Sequence, residues 1–412
     1  MRFLFRPPAV DAAGLLALPW EQPLEEWDER LLLEVPQRGI SRHVVRFVAS
    51  DGRVYALKEI VEPLARHEYA MLRDFAEDGL PTVSVVGVCV DRPVHPQAIL
   101  VTEYLEYSMS YRYLFSSPRG EHPVDRLLDT LVVLLVRLHL AGVFWGDCSL
   151  SNTLFRLDAG SLAAYLVDAE TAERHPTLSA GQRDYDVDLA RERVGGEMLD
   201  LQFGRLLPEG IDPIEVADSL PRRYTALWDE VTREEVFRLD EQRYRVAERL
   251  RRLNDLGFDV AEMELVTSSD GARLRVDTKV AERGHHRREL FRLVGLEVQE
   301  GQARRLLNDL RSFRAYLEQK DARPVRETAA AHQWLAEVYR PVVDAVPPDL
   351  AGRLAPAEIF HEVLEHRWFL SEQAGRDVGT TAAARSYFDT VLPRTPKEVA
   401  TPSAAGPMGG DG

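Results

Sequence analysis

Trp145-Gly146-Asp147-Cys148-Ser149-Leu150-Ser151-Asn152, followed by Val167-Asp168-Ala169-Glu170, is the stretch on which the reading of this chain turns. It sets out Asp-x4-Asn and then a second aspartate sixteen positions on. Phosphoryl transfer from a nucleotide needs such a set: one carboxylate to take the proton of an attacking hydroxyl, and an amide oxygen and a second carboxylate to hold magnesium on the phosphates. Magnesium is a hard ion that prefers oxygen and takes few ligands from protein.

The setting of this stretch gives it weight, because Asp-x4-Asn alone is common by chance. Ala141–Trp145 is short, apolar and aromatic, and Thr153–Leu157 and Ala163–Val167 read as strands joined by a turn at Asp158-Ala159-Gly160. A hairpin there puts Asn152 and Asp168 at its two open ends, far apart in sequence and close in space. Upstream, Leu127–His139 is apolar on nearly every side, the pattern of a buried helix.

Lysine usage supplies a second signal. Of 51 Lys and Arg residues only four are lysine, so arginine stands wherever either would serve. Lys58 sits in the alternating strand Val54–Ile60, where a compact ammonium suits contact with nucleotide phosphates. Glu68 follows on a stretch with Leu64, Met71, Leu72 and Phe75 at helical spacing and is placed to orient Lys58. Taken singly, the two read rather as an edge-strand lysine and a solvated helix glutamate; the downstream constellation reverses this.

These residues together resemble the protein-kinase-like superfamily over residues ~30 to ~200. The likeness is to its small-molecule branch: aminoglycoside and choline phosphotransferases and lipopolysaccharide core kinases. Tyr55-Ala56-Leu57-Lys58, His67–Arg73, Gly79–Val83, Leu138–Asp147, Asn152-Thr153-Leu154 and Val167–Glu170 carry it, and Gly-Asp-x4-Asn marks the branch. The whole chain also looks like a bacterial family that joins such a module to a C-terminal domain of unknown function. The resemblance implies an α+β fold: two kinase-like lobes, then a smaller, mainly helical α+β domain. It implies ATP and Mg2+ as cofactors, Lys58 on the α/β-phosphates, Glu68 holding Lys58, Asp147 as base, and Asn152 and Asp168 as metal ligands. It makes Ile99–Leu105 a strand entering a hinge where backbone groups of Glu103 to Leu105 meet adenine. Among Asp184, Asp186 and Asp188, it favours Asp188 as the aspartate bracing the catalytic loop; the plain alternative is a solvated helix start.

The sequence departs from the family pattern in several places. The phosphate-covering loop, Pro36–His43, has one glycine; Gly39 and Ser41 are its candidates for phosphate contact, with Arg38 or Arg42 adding charge. Trp145 stands where the family places histidine, and is read as packing. Ala169 replaces an aromatic residue. Cys148, beside the base, is read as incidental. With no arginine before Asp147, activation-loop phosphorylation is not expected.

A net charge of −16 argues against nonspecific binding to nucleic acid or anionic membrane. No apolar run is long enough to span a bilayer, and two cysteines fit a reducing, cytoplasmic setting. The organisation expected is an N-terminal cap (1–30), a kinase-like domain (31–228, with lobes 31–105 and 106–228), a C-terminal α+β domain (230–393) and a disordered tail (394–412). In the C-terminal part a helix is expected over Glu234–Leu256, a hairpin around Ser269-Asp270-Gly271, and helices at Gly284–Val294, Glu300–Gln319, Val325–Val343 and Pro356–Gly375. Arg283–Arg288 is read as a solvated helix start before a phosphate or RNA site, and His361–His366 as a helix before a zinc motif, whose spacing it misses by one residue. The partners implied are a nucleotide and a hydroxyl-bearing acceptor, with Tyr107–Phe115 as a candidate wall; oligomeric state has no reading. A nucleotide-sensing pseudokinase and an AMP transferase on the same residues are the rivals to phosphoryl transfer.

Overall fold

In the computed structural model, residues 1–5, 12–33, 35, 42–50, 52–116, 123–232, 235–236, 264–268, 271–275, 285–321 and 323–395 are described. Gly39 and Ser41, most of the expected helix over Glu234–Leu256, the turn residues Ser269 and Asp270, and the tail beyond Thr395 lie outside the described residues. The described chain divides into two compact units: Met1–Arg156 with Ala164–Trp228, and Leu157–Ala163 with Asp229–Glu398.

The first unit opens on an antiparallel sheet with strand order β1-β4-β5-β3-β2. Its strands are β1 (Arg2–Phe5), β2 (Val44–Ser50), β3 (Arg53–Ile60), β4 (Val85–Val90) and β5 (Ala98–Glu103). Strand β1 was not foreseen; it pairs with β4, Arg2 opposite Val90, an association across most of the lobe that no local pattern announces. Helix α1 (Ala12–Leu16) and the turns after it bring Leu15, Trp20, Leu24 and Trp27 into one cluster with Val48, Tyr55, Leu57 and Val86. A buried ion pair fastens this segment. Arg92 Nη1 lies 2.7 Å from Glu59 Oε1, the same guanidinium donates to the carbonyls of Trp20 and Gln22, and Leu24 N donates to Glu59. With every polar atom partnered, the cost of burying two charges is offset.

Helix α2 (Glu62–Glu77) turns Ala65, Glu68, Leu72 and Phe75 inward, three apolar residues and one acid on the same face. Beyond it the chain forms α3 (Tyr111–Ser116), α4 (Pro123–Leu140), α5 (Ala180–Phe203) and α6 (Pro213–Thr232), with the short strands β6 (Val143–Phe144), β7 (Thr153–Asp158), β8 (Ser161–Leu166) and β9 (Glu173–Arg174). Helix α4 is buried along Leu127, Leu128, Leu131, Val132, Leu134 and Leu135, as its unbroken apolar pattern predicts. Strands β7 and β8 form the expected hairpin around Ala159 and Gly160, whose φ angles of 54° and 78° suit a tight two-residue turn. At its open end Val167 N donates to Asn152 O at 3.0 Å.

In the second unit, helices His285–Val294, Glu300–Asp321, Glu327–Trp334, Pro356–Ala374 and Thr380–Thr390 enclose a core of Leu290, Leu307, Trp334, Phe360 and Tyr387. Its sheet joins β10 (Glu235–Val236), β12 (Gly271–Arg275) and β11 (Glu264–Ser268), in that order. Glu235–Val236 is therefore strand, not helix start: pairing with Leu274 and Arg273 overrides the local helical pattern. The segment Leu157–Ala163 is integral to this unit. Asp158 accepts from Gly301 N and Gln302 N in the first turn of Glu300–Asp321, and buried Glu358 accepts from Ala159 N, Gly160 N and Gln302 Nε2.

Candidate active site

Lys58 lies on β3, which is paired on both sides, with Val45 of β2 and Leu100 of β5, so it is not an edge lysine. Its Nζ is 3.0 Å from Glu68 Oε2, 2.7 Å from Asp168 Oδ2 and 3.6 Å from Glu170 Oε2. Burial by itself would lower the ammonium's pKa; the facing Glu68 and Asp168 carboxylates outweigh it and hold the group charged. Glu68 shows the opposite balance. Burial first, then the nearby Asp168 charge, push its carboxyl up to about 7 against the pull of Lys58. Three carboxylates thus share one ammonium, and the oxygens of Glu68, Asp168 and Glu170 lie within 4.8 Å of one another. Such an excess of hard oxygen donors fits a divalent cation of the magnesium type.

Asp147 is placed by a glycine. Gly146 has φ +75°, a left-handed conformation that L side chains rarely adopt, and a Cβ there would come within 3.3 Å of the Thr171 carbonyl. Asn152 Nδ2 donates to Asp147 O at 3.0 Å and to its Oδ2 at 3.1 Å, which leaves the Asn152 amide oxygen turned the other way as an available acceptor. Asp168 Oδ1 accepts from Glu170 N at 3.0 Å. Asn152, Asp168 and Glu170 are the oxygen donors on this side of Lys58 that would hold such a cation.

Helix α5 holds the catalytic loop through one stripe of side chains. Asp186, fully buried, accepts from Trp145 N at 2.7 Å and Gly146 N at 2.8 Å, and lies 3.0 Å from His139 Nε2. Arg193 Nε is 3.0 Å from Asp147 Oδ1. Glu197 accepts from Leu150 N and Ser151 N, each at 2.8 Å. Residues 186, 193 and 197 share a helix face, so acid, base and acid meet the loop in succession. The bracing aspartate is therefore Asp186, and the preference for Asp188 is corrected. The Ser179–Gln182 capping box fixes the start of the helix, and its phase leaves Asp188 exposed. Arg193 and Glu197 were not foreseen from sequence; their signal is the spacing i, i+7, i+11 from Asp186, interleaved with buried Ala190, Val194 and Met198.

Trp145 does more than pack. Its fully buried indole donates from Nε1 to the Asp168 carbonyl at 2.9 Å, and Thr171 Oγ1 donates to the Trp145 carbonyl at 2.8 Å. It ties the loop bearing Asp147 to the turn bearing Asp168, a link a packing role would not provide. Cys148 is buried, and burial pushes its thiol well above the ordinary range, so no thiolate stands beside Asp147.

Lys58, Asp147, Asn152 and Asp168 all line one cleft of about 980 Å³ within the first unit. The hinge residues Glu103, Tyr104 and Leu105 line it too, but Glu103 N is bonded to Ser84 O and Tyr104 N to Val54 O. Those two amides are spent on the lobe, which narrows the expected adenine contacts to the Leu105 backbone and to carbonyls. From the expected wall, Ser108, Ser110 and Tyr113 reach the cleft, whereas Tyr111 is buried in the lobe. Of the phosphate-covering loop, Arg42 and His43 are described: Arg42 reaches to 3.4 Å from Asp147 Oδ2, and His43 Nε2 lies 2.9 Å from Glu170 Oε2.

In the second unit, His361 and Glu365 form an i,i+4 pair at 3.1 Å beside Arg305, while His366 meets Ser386 and Glu362 accepts from Tyr387. These are helix-stabilising and packing contacts. Among the described residues the one grouping of three His, Cys, Asp or Glu side chains close enough to share a metal is Glu68, Asp168 and Glu170. His286 and the first turn of its helix are met by Glu300, and Arg311 by Glu289, so acids are interspersed in that cationic region. No described helix is long and apolar enough to cross a membrane.

Two family models match the chain, each over less than half of it. Residues 51–193 match the lipopolysaccharide kinase (Kdo/WaaP) family, and residues 226–392 match a domain of unknown function, DUF4032. Among solved structures, one described as WaaP in complex with acyl carrier protein matches at 20% identity and a TM-score of 0.35, over 62% of this chain and 99% of that one. No curated protein matches the sequence. Residues 51–193 are thus similar to a kinase family, by the description of the model they match.

Proposed function

We propose that the first unit is an ATP- and Mg2+-dependent phosphotransferase that moves the γ-phosphoryl group to a hydroxyl of an acceptor whose identity is open. The observation that carries this reading is the convergence on one cleft of Lys58, clamped by Glu68 and Asp168, with Asp147 and Asn152. Lys58 would meet the nucleotide phosphates, and Asn152 and Asp168 would hold the cation, which when bound supplies neutralisation of the phosphate charge. The acceptor oxygen forms the new bond to phosphorus as the bond to the β-phosphate oxygen breaks, its electron pair leaving with ADP. The acceptor proton passes to an Asp147 carboxylate oxygen. Positioning and fixed charge supply most of the rate in such chemistry.

One observation favours a second reading, an ATP-binding module without turnover: both Asp147 oxygens are engaged, by Arg193, Arg42 and Asn152. Calorimetric titration of ATP with and without Mg2+, on the wild type and on Asp168→Ala, tests nucleotide use. Magnesium-dependent binding lost in the variant supports the site; absence of binding in either condition overturns it. Asp147→Asn, binding ATP like the wild type, separates the two readings. A hydrolytic or acceptor-dependent turnover that it loses supports transfer, and the absence of any wild-type turnover supports the binding module.

A further inference from the structure

The loop that carries the base contains no cation: Asp147-Cys148-Ser149-Leu150-Ser151-Asn152 has neither lysine nor arginine. Lys58 is held on the far flank by three carboxylates. A phosphoryl group in transfer spreads negative charge over its equatorial oxygens, and a cation beside it is worth orders of magnitude in rate. Two arginines stand beside Asp147, Arg42 at 3.4 Å from Oδ2 and Arg193 of α5, and Arg193 is the nearer and the one carried by a long helix. Arg193 reaches the cleft with its Nε 3.0 Å from Asp147 Oδ1, and its side chain is 56% exposed while Asp147's is 14% exposed.

The helix under Arg193 is fixed, and its long side chain is more than half exposed. Asp186 and Glu197, on the same face, bond the loop backbone on either side of Asp147, so the Cα of Arg193 is set relative to the base. Nearly one turn along the helix, Gly196 also lines the cleft and a Cβ there would touch nothing within 4 Å, so there is room for a guanidinium to swing. Arginine is suited to this place because its planar fork can hold a carboxylate or phosphate oxygens through the same donors.

We infer that Arg193 is a catalytic residue of the phosphoryl transfer proposed above: it caps Asp147 while the cleft is empty and shifts to the γ-phosphoryl oxygens as transfer proceeds. The shift frees Asp147 Oδ1 to take the acceptor proton at the moment the cation is needed on phosphorus. The resting contact with Asp147 is then a consequence of the empty cleft and not a sign of a dead site. This inference rests on the proposed nucleotide use, and the experiment keeps the two apart.

The test needs no acceptor. Full-length wild type, Arg193→Gln and Arg193→Lys are titrated with ADP–Mg2+ alone and with ADP–Mg2+ plus aluminium fluoride, which mimics the phosphoryl group in transit; melting curves check that the variants fold. The expected result is equal ADP–Mg2+ affinity in all three and a gain on adding fluoride in the wild type. That gain falls on the order of 10²-fold in Arg193→Gln and is partly kept in Arg193→Lys. An undiminished gain in Arg193→Gln overturns the assignment, as does a wild type that binds ADP–Mg2+ but gains nothing from fluoride. A wild type that binds no ADP–Mg2+ overturns the nucleotide reading, and Arg193's role with it. Where Arg193→Gln fails to fold, Arg193→Lys decides: a gain of wild-type size leaves no role for the guanidinium fork, and a reduced gain supports it.

Discussion

Replacing Asp186 with alanine is the sharpest test of how the catalytic loop is held. The buried carboxylate satisfies Trp145 N and Gly146 N and faces His139 Nε2. Removing it strands two backbone amides and an imidazole nitrogen, at about 1–3 kcal/mol for each buried group left without a partner. Part of that sum is returned because a carboxylate no longer has to be dehydrated, so the net loss should be about 3–5 kcal/mol, the range for breaking a buried charged pair. For a unit of this size about 1 kcal/mol moves the melting temperature by roughly 2–4 °C, so the first unit's transition should fall by roughly 6–20 °C. Asp186→Asn keeps one acceptor oxygen and should fall in between. Asp188→Ala, at an exposed position, should stay within about 0.5 kcal/mol of wild type. Scanning calorimetry on the full chain, followed transition by transition, reads all three. A melting point for Asp186→Ala within roughly 2 °C of wild type, or a larger fall for Asp188→Ala, would refute the bracing role.

Other outcomes follow from the same contacts. Trp145→Phe keeps the ring packing but loses the indole bond to the Asp168 carbonyl, so it should cost about 1–3 kcal/mol in stability and weaken Mg2+-dependent ATP binding by calorimetry; unchanged metal dependence would show that the link does not position Asp168. Glu68 has a folded pKa of about 7, above its ordinary 4.5, so its contribution to stability is full below about 4.5 and is lost as pH rises through about 7. The metal-free protein should therefore melt lower above pH 7 than below it, Mg2+ should stabilise it more on the alkaline side, and Glu68→Gln should flatten the profile; a Mg2+ effect independent of pH would contradict this. Glu197→Gln retains one oxygen acceptor but loses the second, so one of the Leu150 and Ser151 amides is left short of a partner. Any turnover should then drop more than ADP–Mg2+ affinity does, and equal losses in both would show that Glu197 acts on folding alone.

The parts of the site readable in sequence were those written in contiguous chain. Gly146-Asp147 and Asn152 sit in one turn, Asp168 closes the hairpin, and the apolar periodicity of α2 exposes Glu68 as the acid on a buried face. What was not readable depends on helix phase or on distant pairing. Three aspartates spaced two apart, at 184, 186 and 188, look alike until the capping box sets the rotation of α5, and a single residue's shift turns the bracing side chain from solvent into the core. Strand β1 was missed because its partner is β4, whose sequence says nothing about residues 2 to 5. The spent amides of Glu103 and Tyr104 were hidden for the same reason: their acceptors, Ser84 just before β4 and Val54 on β3, are distant in sequence.

The second unit is built from two separate pieces of chain, and one of them is only the turn Leu157–Ala163. A cut after Trp228, where the matches to two families would invite one, does not follow the boundary between the two units. It leaves Asp158 without the amides of Gly301 and Gln302, and Ala159 and Gly160 without the Glu358 carboxylate. Gene dissection at the family boundary would therefore damage the strand pair that begins beside Asn152 and ends two residues before Asp168. A loss of activity in such a fragment would say nothing of whether the missing half takes part in chemistry. Point changes in the intact chain that spare Gly301, Gln302 and Glu358 are the way to ask that question.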